Sequence, residues 1–299
     1  MKRSKKRTSA TKLFLLICAI SSFQLMAQKA PAEFSVHAAG AISTYCFQPL
    51  SKGNSSIGGT GDFGAGFTGF LSQQIGIHVG VGIGFFNVKS KIANLKTITP
   101  QLSTIDDQGR VRFYDLHTTL SGYTEIHKSI FMSIPVMLQY QTQQKQYWGW
   151  KQSPKPSFYA MAGLKVLFLF NNKYEASIQT LENIGKFEMG PPAGTQEAPG
   201  FGVFAGNQSS GKMDFGIMAM AAVELGVKFR LGNNVAIYTG AFFDCGLNDP
   251  IKDSRKSYGN YIYQEDLNEL TILKAADRIN LMTVGIKVRV AFSKSQRPY

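Results

Sequence analysis

Residues 76 to 86 read GIHVGVGIGFF, an apolar stretch in which glycine takes every even position except His78 and Phe86. A helix would lose up to roughly 1 kcal/mol for each glycine relative to alanine, and eleven residues are too few to cross a bilayer helically. A strand satisfies both constraints. Successive side chains then point to opposite faces, with Ile77, Val79, Val81, Ile83 and Phe85 on one side and little but hydrogen on the other.

The same period of two recurs along the chain. Alternation predicts eight strands, over 33–47, 60–71, 74–89, 127–142, 157–170, 213–230, 234–246 and 279–293. The sixth is the plainest. In DFGIMAMAAVELGVKFRL, Phe215, Ile217, Ala219, Ala221, Val223, Leu225, Val227 and Phe229 share a purely apolar face, while Asp214, Glu224, Lys228 and Arg230 lie on the other. Links near 72–73 and 231–233 are tight, that between the fourth and fifth strands is of medium length, and those over 48–59, 90–126, 171–212 and 247–278 are long. Alternating short and long links, an even strand count and no apolar helix predict an all-β fold, an eight-stranded antiparallel up-and-down transmembrane β-barrel with short periplasmic turns and long extracellular loops. Only helices and closed barrels satisfy the backbone in hydrocarbon. Phe34, Phe131, Tyr140, Phe158, Phe170, Phe229, Phe243 and Phe292 are the expected interface girdles.

The N-terminus supplies an address. Residues 1–12 hold six Lys/Arg and no acid, and LFLLICAISSFQLMA follows, so 1–27 reads as a signal peptide cleaved after Ala27, with 28–299 the outer-membrane barrel domain. The n-region carries six of the thirteen net positive charges, leaving +7. The basicity is therefore largely targeting, and no Lys/Arg cluster with interleaved aromatics argues for nucleic acid. The expected location is the outer membrane of a Gram-negative cell.

With the greasy face outside, the other face fills a lumen just wide enough for side chains. His37, His78, Asp62, Lys165, Asp214, Glu224, Lys228, Asp244, Lys287 and Arg289 are expected to point inward. Their mixed signs predict a structural, salt-bridged plug rather than a conduction path. Cys46 and Cys245 fall on strands separated by the eighth predicted strand, so the lateral gap of about two strand spacings exceeds the roughly 7 Å reach of a disulfide. Pro135 predicts a bulge or irregularity in its strand.

SIFMSIPVMLQYQT (129–142), SFYAMAGLKVLFLFN (157–171) and AAVELGVKFRLGNNVAIYTGAFFDCGLND (221–249) resemble the Bacteroidetes outer-membrane β-barrel families, PorT-like and OmpA-like. The resemblance implies the barrel architecture. Such barrels serve as structural proteins, adhesins, secretion components and surface proteins. TVGIKVRVAF (283–292) resembles the terminal signal read by barrel assembly machinery, although SKSQRPY follows it.

No metal spacing links the four histidines, and neither metal nor other cofactor is expected. His127 with Ser129 is a pair that a rim lipid-modifying enzyme would use, but the sequence singles out no orienting acid for it, and a non-enzymatic role is expected. Leu267, Leu270 and Leu273 predict a short helix serving as a lid in the fourth loop. The expected protein is a monomer with outer-membrane lipids and the assembly machinery as partners, and with a protein or glycan as the candidate partner at its extracellular loops. A small-solute channel, a secretion-system component and a lipid-modifying enzyme are the alternatives.

Overall fold

The computed structural model describes residues 32–48, 54–105, 109–142, 156–187, 201–213, 215–231, 234–251 and 278–293. These form β1 (Ala32–Gln48), β2 (Asn54–Phe70), β3 (Ile75–Ile105), β4 (Val111–Gln141), β5 (Ser157–Phe187), β6 (Gly202–Lys212), β7 (Ile217–Arg230), β8 (Val235–Gly246) and β9 (Arg278–Ser293). All pairings are antiparallel. β1 pairs with β2 on one edge and β9 on the other, and the ladder runs on through β3, β4, β5, β7 and β8, so eight strands close into a ring.

The ring is turned inside out relative to a soluble barrel. Along β3, Val79, Val81, Ile83 and Phe85 are exposed while His78, Gly82, Gly84 and Phe86 are buried. On β3 the outward apolar run extends from Ile75 to Phe85, and on β4 from Ile130, the ladder partner of Phe85, to Tyr140, the ladder partner of Ile75. Each run is eleven residues, close to the roughly 9–11 that a tilted strand needs to cross hydrocarbon. Seven of the eight expected girdle aromatics face outward; Phe131 does not, since it stacks on Phe86 inside the barrel.

The nine strands make eight staves. β6 and β7 both run antiparallel to β5, β6 against Lys173–Asn183 and β7 against Ser157–Phe168, and together they make one stave broken at 213–216. Met213 N still bonds Asn172 O at 3.0 Å across the break.

Two expected long loops are largely strand. β3, β4 and β5 each run 31 residues, so 90–126 is a hairpin whose connection spans 106–110, and much of 171–212 continues β5 and forms β6. The reason for the difference is a change of phase. On β4, inward residues are even from Tyr114 to Leu120, then odd from Tyr123 onward, the flip falling at Gly122 with φ of 65°. On β5 a bulge at Asn171, φ 49°, moves the inward set from odd to even positions. A fixed period of two loses the strand at both places. Pro135 produces a local irregularity without a bulge: the β4–β5 register is continuous through it, while the β3–β4 ladder lapses around it, between Val79 and Gly82, and resumes without shifting.

Above the rim, β3 to β6 rise as a four-stranded sheet. The predicted helix around Leu267, Leu270 and Leu273 lies outside the described residues, as do residues 1–27 and the chain end after Ser293. The residues flanking that segment are fastened together. Asp249 accepts from Ile251 N at 2.8 Å and from Ile279 N at 3.1 Å, and both isoleucines are buried.

Candidate functional site: a filled lumen

The barrel interior is two materials stacked along its axis. Toward the short turns it is charged and polar; toward the rim it is apolar.

At the base, Glu33 accepts from Lys228 Nζ at 2.7 Å and from Tyr238 OH at 2.5 Å. Lys228 also donates to Gln141 Oε1 at 3.1 Å and lies 4.8 Å from the Tyr238 ring centroid. One layer up, Arg289 lies 4.1 Å over the same ring and donates to Gln139 Oε1 at 3.3 Å. Glu224 then accepts from Tyr159 OH at 2.8 Å and Lys287 Nζ at 2.6 Å. Higher still, Lys165 meets Asp244 at 2.5 Å and His37 faces Asp62 at 3.6 Å. His78 Nδ1 shares a hydrogen bond with Thr68 Oγ1 at 2.9 Å.

The structure therefore brings His37, His78, Lys165, Glu224, Lys228, Asp244, Lys287 and Arg289 into one interior; Asp214 lies outside the described residues. Four acidic side chains, Glu33, Asp62, Glu224 and Asp244, stand against four basic ones, Lys165, Lys228, Lys287 and Arg289. Near-neutrality follows from this balance, as burial of unpaired charge would cost far more than pairing returns. The gaps left between layers measure about 10 and about 20 Å³, room for roughly one water each.

Sequence reading missed Glu33, Gln139, Gln141, Tyr159 and Tyr238. The signal was available in their phase: Glu33 shares the inward parity of His37, Tyr159 that of Lys165, and Tyr238 that of Asp244. Glycine makes the space. A Cβ on Gly82 would stand 2.7 Å from both Asp62 Oδ1 and Ser133 Oγ, and one on Gly64 would stand 2.7 Å from the His37 ring.

Nearer the rim the interior changes to Tyr45, Phe86, Val88, Ile92, Leu120, Phe131, Leu167, Ile178, Leu181, Met218, Met220 and Leu281, a continuous apolar core. Within it, His127 Nε2 lies 2.9 Å from Glu125 Oε1, and Tyr123 OH donates to the same carboxylate. The absence of an acid near His127 and Ser129 is thus corrected, for Glu125 is the previous inward residue of the same strand. The three nevertheless do not form an open site. Glu125, His127 and Ser129 are 0%, 1% and 3% exposed, and Ser129 Oγ has no hydrogen-bond partner among the described residues. No cluster of three or more His, Cys, Asp or Glu with metal-holding geometry occurs among the described residues.

Cys46 and Cys245 are free thiols on opposite sides of β9, in register with Asn280 and Met282. Cys46 Sγ instead lies 3.2 Å from Met282 Sδ.

No family model and no curated protein matches this chain. Among solved structures it is similar to the outer membrane protein OprG of Pseudomonas aeruginosa, at 11% identity over 89% of this chain and 98% of that one, with a TM-score of 0.37. Neisserial surface protein A is similar at 12% identity over 86% and 96% of the two chains, TM-score 0.28. The outer membrane protease OmpT of Escherichia coli is similar at 10% identity over 90% and 97%, TM-score 0.29. At these scores no residue role passes from them to this chain.

Proposed function

We propose that the protein is a non-enzymatic outer-membrane barrel whose lumen is a permanent plug and whose work is done by the sheet and loops beyond the rim. One observation carries the reading: an exterior belt of lipid-compatible side chains surrounds an interior that is filled from base to rim, first by paired charges and then by an apolar core. A solute path would have to cross both. An enzyme would need access to Ser129 and His127, which the core covers.

Residues 1–27 act in this reading as the signal peptide, with the mature chain beginning at Gln28 and assembling as a monomer among outer-membrane lipids after delivery to the barrel assembly machinery. Structural or surface-interaction work, with a protein or glycan as the external partner, then falls to β3–β6 above the belt. In this reading the chain is a relative of the Bacteroidetes PorT-like and OmpA-like barrels, which 129–142, 157–171 and 221–249 resemble.

Planar-bilayer recording from the purified full chain tests it. The expected trace is a closed baseline at ordinary voltages. A large, steady current would replace the plug with a channel, and purification as a detergent-free soluble monomer would remove the membrane reading altogether.

A further inference from the structure

On the outer wall, directly above the apolar belt, lysines line up across neighbouring strands. Lys128 on β4 is the ladder partner of Lys173 on β5, which is in turn the partner of Lys212 on β6. Lys89 and Lys91 face the same way on β3, beside Asn87, the partner of Lys128. All five lysines are exposed. Like charges directly opposite on adjacent strands repel at a Cβ separation of about 4.5–5.5 Å, and the fold supplies little relief. Glu175 reaches Lys128 at 2.8 Å; Lys89, Lys91, Lys173 and Lys212 have no ion pair among the described residues.

The row sits where the greasy wall stops. Ile130 and Phe170, partners of one another, are the next outward pair below Lys128 and Lys173, and both are exposed, as is Phe85 beside them. A ligand bound here meets cations at one end and hydrocarbon at the other. A free anion would use the lysines and gain nothing from Phe85, Ile130 and Phe170; a nucleic acid would find no aromatic stacking platform among the lysines.

Building on the membrane reading above, we infer that Lys89, Lys91, Lys128, Lys173 and Lys212 form a headgroup site for a bis-phosphorylated glycolipid of the leaflet on the long-loop side, its acyl chains lying on Phe85, Ile130 and Phe170. The phosphates neutralise the row, and the wall holds the chains.

Native mass spectrometry of the detergent-solubilised full chain tests the site with bis-phosphorylated lipid A, its fully dephosphorylated form and inorganic phosphate as probes. K128Q/K173Q/K212Q should weaken lipid A binding about a hundredfold, at roughly a factor of five for each lysine beside an anionic lipid surface. The corresponding triple arginine variant should retain binding, and K96Q/K186Q, higher on the same sheet, should bind as the parent does. Heat-dependent gel mobility establishes that each barrel is folded. Should the triple glutamine variant not fold, K173Q alone carries the test, with about a fivefold loss expected. Unchanged binding by the glutamine variants, equal binding of the dephosphorylated lipid, or full displacement by millimolar inorganic phosphate would overturn the inference. Failure of the parent chain to enter lipid vesicles would instead strike the membrane reading itself.

Discussion

Lys228 Nζ reaches Glu33 Oε1 at 2.7 Å across 195 residues of sequence, tying β7 to β1 at the base of the lumen. The contact exists only because the ring closes through β1 and β9. It is also nearly free of water, with Lys228 2% exposed.

Breaking that pair from one side should therefore be costly. Lys228→Met leaves Glu33 buried without its cation and should destabilise the barrel by about 3–5 kcal/mol. Combining Lys228→Met with Glu33→Gln should recover part of that loss, because no uncompensated charge remains. Urea unfolding of the protein in lipid vesicles, followed by far-UV circular dichroism, measures both; a double variant no more stable than the single would count against a buried pair.

Gly82 and Val81 are neighbours with opposite tolerances. A side chain on Gly82 enters space held by Asp62 and Ser133, so Gly82→Leu should cost about 1–3 kcal/mol through overpacking. Val81, 49% exposed on the outer wall, should accept leucine within about 0.5 kcal/mol. Equal stability of the two variants would reverse the assigned faces.

Charge on the belt should cost according to depth. Val81→Arg lies within the apolar run and should lose about 2–4 kcal/mol, whereas Asn87→Arg, just past Phe85 on the same strand, should lose no more than about 1. Folding yield into vesicles of defined composition gives the comparison, and a flat profile would mean that this wall does not face hydrocarbon.

The His127–Glu125 pair should behave as structure. His127→Ala removes a polar neighbour from the buried Glu125 carboxylate, which keeps Tyr123, and should lower stability by about 1–3 kcal/mol. Ser129→Ala should be nearly silent, since its hydroxyl has no partner among the described residues. Lipid composition of vesicles incubated with the parent protein should match that of vesicles incubated with either variant; acyl-chain loss that depends on Ser129 would identify an enzyme.

Sidedness and strand count were legible in the chain because they depend on local parity alone. The pattern GIHVGVGIGFF puts Val81, Ile83 and Phe85 on the wall and His78 in the lumen whatever surrounds it, and the inward charges of β7 and β9 follow by the same rule. Parity failed where the chain itself slips phase, at Gly122 and Asn171, so the upper halves of β4 and β5 read as loop. Closure of the ring decided the rest. Which cation meets which carboxylate, that Glu33 completes the base, that Glu125 stands beside His127, and that three lysines fall on one cross-strand line are matters of register between staves. Each depends on hydrogen-bond ladders joining residues far apart in sequence. A single chain's alternation carries no information about that alignment, because sliding a strand by two residues leaves every face unchanged and every partner different.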